Sequence, residues 1–143
     1  ILTITYSRFN EKNVELYQDV DSFDIHACEN SLMQVIINIL NNASDAFKTE
    51  NKNLLFVHVY KENENMYIKI KDNAGGIDEK IISKIFEPYF TTKKENEGIG
   101  IGLYIVDEML RSGLNGIISA ANVEYEHEKN VYKGAEFTIK INL

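Results

Sequence analysis

From Asn30 onward the apolar residues of this chain change period three times, and those changes restrict the layers it can build. From Asn30 to Phe47, Leu32, Val35, Ile36, Ile39, Leu40, Ala43, Ala46 and Phe47 recur at steps of three and four. A helix places residues so spaced on one face, so an amphipathic helix of about 18 residues is expected there. Leu55 to Tyr60 and Met66 to Lys71 then read as two strands, joined by the polar Glu62-Asn63-Glu64-Asn65 as a hairpin. The helical period returns from Gly100 to Ser112 and stops at Gly113, a common C-terminal stop. Gly116 to Tyr125 and Gly134 to Leu143 read as further strands, the last with Phe137, Ile139, Ile141 and Leu143 on one face and Thr138, Lys140 and Asn142 on the other. Between Asn13 and Cys28 the chain reads as extended pieces, Val14 and Leu16 alternating with Glu15 and Tyr17, with a polar turn at Asp19 to Ser22. Asp78 is placed to cap a short helix running to about Phe86. Helices with one apolar stripe and strands with one apolar face bury each other as an α+β two-layer sandwich, with the helices on one face of a mixed, largely antiparallel sheet.

Composition narrows the partners. At 143 residues and 44% hydrophobic, the chain is expected to form a single globular domain, burying roughly 70% of its unfolded surface. A net charge of -7, with no basic cluster beyond Lys93-Lys94, argues against nucleic acid, because phosphate contacts need Lys and Arg grouped on one face. The longest apolar stretch, Val35 to Leu40, is broken by Asn38 and is far short of the roughly 20 residues that span a bilayer. No membrane contact by this segment is expected. Cys28 is the single cysteine, which rules out an internal disulfide and fits a reducing, cytoplasmic setting. The chain opens at Ile1 rather than Met, as expected of a segment of a longer protein.

Four short motifs lie on these elements. Gln34, Asn38, Asn42 and Asp45 fall within about 80° of one another on the first helix, beside its apolar stripe, so they line the rim of whatever the helix covers. A carboxamide oxygen such as that of Asn42 can ligate Mg²⁺, a hard cation that completes its shell with water and phosphate oxygens. Asp72 ends a strand and opens the turn Asn73-Ala74-Gly75-Gly76-Ile77, whose glycines allow a ligand to approach the backbone closely. A carboxylate in such a pocket can accept the exocyclic N–H of adenine and reject guanine, which presents a carbonyl at that edge. The third motif is Phe86-Glu87-Pro88-Tyr89-Phe90. Gly98, Gly100 and Gly102 then alternate with Ile99, Ile101 and Leu103 ahead of the second helix. Converging backbone N–H groups and a helix N-terminus suit a polyphosphate. The spacing is neither G-x-G-x-x-G nor a P-loop, since no Gly-Lys-Ser/Thr is present. Together the motifs supply an adenine acceptor, a metal ligand, a lid anchor and a phosphate cradle, and so point to ATP with Mg²⁺.

In this order the motifs resemble the ATP-binding catalytic domain of bacterial sensor histidine kinases, within the superfamily of gyrase, mismatch-repair ATPases and ATP-driven chaperones that share the Bergerat-type ATP-binding fold. The likeness covers nearly the whole chain. It implies that Asn38 and Asn42 form an asparagine box, that Asp72 holds adenine, that Gly76 and Ile77 line the base, and that Phe86 and Phe90 anchor a lid. It also implies that Gly98, Ile99, Gly100, Ile101, Gly102 and Leu103 surround the phosphates, and that Thr91 to Gly98 form the lid. Gly134 to Phe137 matches the final glycine box, with Ala135 where Thr is usual. In the hydrolysing members a glutamate four residues before the metal-binding Asn activates water. Here that position is Asn38, which cannot act as a general base.

The resemblance therefore implies a kinase, in which this domain donates the γ-phosphate of ATP to a His on a helical dimerisation domain of the same protein. The parent would be a homodimer, with a response regulator downstream. The alternative is a nucleotide-dependent switch of the anti-sigma-factor kinase or chaperone type. Many histidine kinases carry Lys-Tyr just after the metal Asn, where this chain has Asp45-Ala46; Asp45 keeps a place at the nucleotide, and Lys93 is the candidate to supply the phosphate charge. His26, His58 and His127 lie in or near strands rather than on a long helix, so none is expected to accept phosphate. No catalytic base is assigned within the chain.

Overall fold

In the computed structural model, residues 12–90 and 102–143 are described. Five strands, β1 (Val14–Val20), β2 (Asn53–Glu62), β3 (Asn65–Asp72), β4 (Gly116–His127) and β5 (Asn130–Asn142), form one sheet in the order β1-β2-β3-β5-β4. β1 runs parallel to β2 and the other neighbours are antiparallel. Helices α1 (Glu29–Ala46) and α2 (Gly102–Gly113) pack on one face and against each other.

Burial follows the sequence periods. Val35, Ile39, Leu40 and Ala43 of α1 and Val106 and Leu110 of α2 are buried against Leu55 and Val57 of β2, Met66, Ile68 and Ile70 of β3, and Phe137, Ile139 and Ile141 of β5. In β3 every second residue is buried, as one face of a pleated strand requires. α1 ends where Phe47 turns extended (φ −76, ψ 148) and drops its ring into the core. Buried Asn53 donates its amide to the carbonyls of Lys12 and Lys48, at 2.7 Å each, satisfying the loop that feeds β2.

Three expectations change. The helix expected from Asp78 to Phe86 shrinks to one 3-10 turn, Ile82–Lys84. Asp78 does accept a backbone N–H, from Lys80 at 2.9 Å, but Ile82 and Ile85 turn toward the core and no continuous helical ladder forms. The extended reading of Asn13 to Cys28 holds only to Val20, after which the chain has no regular element until α1. The last hairpin is longer than its sequence signals: β4 continues to His127 and β5 starts at Asn130. Its turn residues Glu128 and Lys129 take φ of 49° and 68°, the left-handed pair of a type I′ turn without its usual Asn or Gly.

That extension leaves the plane of the sheet. β3 pairs with β5 only as far as Lys71 opposite Glu136, so the hairpin beyond it folds across the outer face, away from the helices. His127 lies edge-on to Tyr17 (centroids 4.7 Å) and Phe56 (5.1 Å), while Phe56 meets Tyr125 at 5.6 Å. The Lys71 ammonium lies over the Tyr125 ring at 4.1 Å. Such ring contacts add about 0.5–1.5 kcal/mol each to the burial they accompany. His58 is half exposed and lies 3.6 Å from Asp19, and His26 is exposed; as expected, neither is on a long helix.

Candidate functional site

The site grows from the end of β3. Asp72 is only 5% exposed. Its Oδ1 accepts the backbone N–H groups of Ala74 at 3.0 Å and Ala135 at 3.1 Å. Among the described residues no hydrogen bond reaches Oδ2. Burial pushes the carboxyl above its ordinary pKa, and the two N–H donors only partly oppose this. A buried carboxylate with one oxygen anchored and the other without a hydrogen bond from the described residues is a placed acceptor.

The backbone under Asp72 is held from behind. The Tyr125 hydroxyl donates to the Asp72 carbonyl at 2.8 Å, and burial, with the Asp72 charge second, drives that phenol's pKa upward. At Gly134 β5 crosses the end of β3 so closely that a Cβ there would lie 1.8 Å from the Asp72 carbonyl oxygen. Glycine is the residue that permits this crossing. The Asn73 side chain accepts the Leu54 N–H and donates to the Lys52 carbonyl, both at 2.9 Å, tying the turn to the start of β2.

From Asp72 the chain runs through Gly75 (φ 97°) and Gly76 (φ 89°), left-handed conformations that disfavour a side chain. Ile77 and Ala74 pack onto the core, and the Ile77 backbone is gripped by Asn122 of β4. Asn38 and Asn42 lie half-buried on α1, with the Asn38 Oδ1 accepting from Gln34 Nε2 at 2.7 Å. Asp45 is on the exposed side of the helix end. Phe86 and Phe90 pack against the core, Phe86 edge-on to Phe137 at 6.4 Å between centroids. Gly102 opens α2 and Leu103 packs on the core. Lys93, Gly98, Ile99, Gly100 and Ile101, together with the expected lid from Thr91 to Gly98, lie outside the described residues.

The sequence reading missed Asn122 and Tyr125 and gave no role to the N–H of Ala135. Since Ala135 acts through its backbone, the replacement of the usual Thr leaves that contact intact. A shallow groove of about 320 Å³ lined by Arg111, Asn115, Ile117 and Lys140 lies at the opposite end of the sheet and contains no motif residue. Among the described residues no three His, Cys, Asp or Glu side chains group as metal ligands, and no helix is long and apolar enough to cross a membrane.

Residues 27–143 match the family described as Histidine kinase-, DNA gyrase B-, and HSP90-like ATPase. The chain is 34% identical over 124 residues to the C4-dicarboxylate transport sensor protein DctB of Pseudomonas aeruginosa, covering 85% of this chain and 20% of that protein. It is 40% identical over 91 residues to the tetrathionate sensor histidine kinase TtrS of Salmonella typhimurium, covering 64% of this chain and 14% of that protein. The chain thus spans a fifth or less of either relative's length. Its fold matches the catalytic domain of histidine kinase ThkA with a TM-score of 0.78 at 22% identity, over 99% of this chain and 86% of that one. It also matches ThkA in complex with the response regulator protein TrrA, with a TM-score of 0.70 at 21% identity, over 99% of this chain and 37% of that one. Motif order, fold and family agree: this chain belongs to the histidine kinase-, DNA gyrase B- and HSP90-like ATPase family.

Proposed function

We propose that this chain is the ATP- and Mg²⁺-binding catalytic domain of a two-component sensor histidine kinase, donating the γ-phosphate of ATP to a His on a separate helical dimerisation domain. The observation that carries the nucleotide reading is Asp72, buried with Oδ1 held by two backbone N–H groups and Oδ2 left for an adenine amine. Asn38 carries the choice of kinase over hydrolase. Its amide is engaged by Gln34 and has no basic oxygen to activate water. The sensor and kinase names of the relatives, and the ThkA complex with TrrA, support a response regulator as the downstream acceptor.

Phosphoryl transfer rests on positioning and charge neutralisation more than on covalent chemistry by the protein. In this proposal Asp72 fixes the base, Gly76 and Ile77 lie along it, and Phe86 and Phe90 tie the start of the lid to the core. The loop from Gly98 to Leu103 and Lys93 would hold the phosphates. Mg²⁺ would neutralise their charge. The Asn42 carboxamide, a neutral oxygen donor on the half-buried rim of α1, fits that hard ion, with the remaining ligands coming from water and phosphate. The acceptor His and the base that assists it would belong to the partner domain.

Radiolabelled ATP tests the reading. Alone, the chain should bind ATP, hydrolyse it very slowly and take up no stable label. Addition of a dimeric helical domain carrying the acceptor His should place acid-labile, base-stable label on that domain. Turnover by the chain alone at the rate of a dedicated ATPase would instead establish the switch reading. The metal assignment has its own check: Asn42→Ala should weaken ATP binding about tenfold with Mg²⁺ and less than about twofold in EDTA, because the lost contact runs through the ion. Equal losses in the two buffers, measured by calorimetry, would make Asn42 structural.

A further inference from the structure

We propose that Asn122 is a positioning residue for base recognition, setting the distance between the Asp72 carboxylate and the Gly76–Ile77 main chain; the inference rests on the ATP reading above. Asn122 on β4 stands opposite Ala135 on β5. Ala135 holds the near end of the turn through its N–H to Asp72 Oδ1 at 3.1 Å. Asn122 holds the far end: the Ile77 N–H donates to its Oδ1 at 2.7 Å, and its Nδ2 donates to the Ile77 carbonyl at 2.6 Å and to Glu79 Oε1 at 2.9 Å. One rung of the β4–β5 ladder therefore fixes both ends of the turn.

The turn itself supplies little restraint. Gly75 and Gly76, at φ 97° and 89°, are the two residues with the widest choice of backbone conformation, so the loop takes whatever shape its ends impose. The Asn122 carboxamide binds both polar groups of the Ile77 backbone, as a neighbouring strand would. It also lies against Gly76, where a Cβ would sit 2.7 Å from Oδ1. Removing the amide leaves the Gly75 N–H bond to the Lys133 carbonyl, at 3.0 Å, but frees Gly76 and Ile77, and with them the gap between the acceptor for the base edge and the main chain along its face. Base recognition then weakens, while phosphate binding, which does not run through this turn in the reading above, should not.

The experiment compares ATP with inorganic tripolyphosphate, both with Mg²⁺, by calorimetry on the full chain and on Asn122→Ala and Asn122→Asp. Asn122→Ala should lower ATP affinity on the order of tenfold or more, the loss of two backbone-directed hydrogen bonds, and leave tripolyphosphate affinity unchanged. Asn122→Asp keeps an acceptor for the Ile77 N–H but sets a carboxylate oxygen against the Ile77 carbonyl and Glu79 Oε1, so it should lose at least as much ATP affinity as the alanine variant and likewise leave tripolyphosphate affinity unchanged. A merely structural asparagine would lower the melting temperature and weaken both ligands together. If the unmodified chain does not prefer ATP over tripolyphosphate, the adenine reading fails and this inference with it. If that preference exists and survives in Asn122→Ala, the positioning role alone is overturned. Should the variants not fold, amide exchange on the unmodified chain decides: Ile77 N–H should be protected like the β4–β5 ladder, and rapid exchange there would overturn the proposal.

Discussion

Replacing Gly134 with alanine should cost the fold about 3 kcal/mol or more and lower the melting temperature by roughly 10 °C. The new Cβ would lie 1.8 Å from the Asp72 carbonyl oxygen and 2.5 Å from its carbon, both backbone atoms that no rotamer change can move. Relief requires β5 to lift off the end of β3. That movement would break the Ala135 N–H bond to Asp72 Oδ1 and the Gly75 N–H bond to the Lys133 carbonyl. ATP binding should therefore fall even at temperatures where the variant is folded. Gly113→Ala is the control, since a Cβ there meets nothing within 4 Å, and its change should stay within about 1 kcal/mol. Calorimetric melting of the two variants checks the pair. Equal melting temperatures for Gly134→Ala and the unmodified chain would mean that the strands do not cross so closely.

Asp72→Asn should separate binding from stability. The amide keeps an oxygen for the Ala74 and Ala135 N–H groups but loses the charge and the free acceptor, which should weaken ATP binding by about 1.5–3 kcal/mol. Without nucleotide the same variant should melt higher near neutral pH, by about 2–4 °C for ~1 kcal/mol in a domain of this size. Burial holds the Asp72 carboxyl above its ordinary value of 3.8, so the protonated form is the one the fold favours. The stability it contributes is present below that ordinary value and is lost as pH rises through the raised folded value. The melting difference between Asn and Asp should accordingly be small in acid and open as pH climbs to neutral. Unchanged ATP affinity would remove the adenine assignment, and a difference that narrows with rising pH would contradict the role of burial.

Local chemistry explains which features were legible. α1 runs Glu29–Ala46, within one residue at each end of the expected Asn30 to Phe47, because a long apolar stripe is its own record. β2 and β3 likewise bracket their alternating runs, joined by a tight turn in which Asn63 takes φ 55°, a conformation Asn tolerates. The short helix after Asp78 failed because a capping residue shows only where a helix can start. Ile82 and Ile85 then turn inward to the core in place of a continuing helix. The end of the last hairpin was illegible because Glu128-Lys129 carries no turn chemistry, and the aromatic contacts of His127 and Tyr125 across the sheet hold a turn that propensity alone would not choose.

The sequence by itself determined the layers, the apolar faces and the candidate residues of the site: amphipathic period specifies what each element must bury, and the spacing of Asp72, Gly75 and Gly76 specifies a carboxylate at the mouth of a permissive turn. Tertiary structure alone decided the strand order, the parallel placement of β1 beside β2, and the folding of the β4–β5 hairpin across the outer face. It also decided that Asn122, 45 residues beyond Ile77, would clasp that residue's backbone, and that the N–H of Ala135, 63 residues beyond Asp72, would anchor the carboxylate. Periodicity reports whether a residue faces the core. A polar side chain or backbone N–H that meets one partner far along the chain leaves no period to read, and its role exists only once the strands have paired.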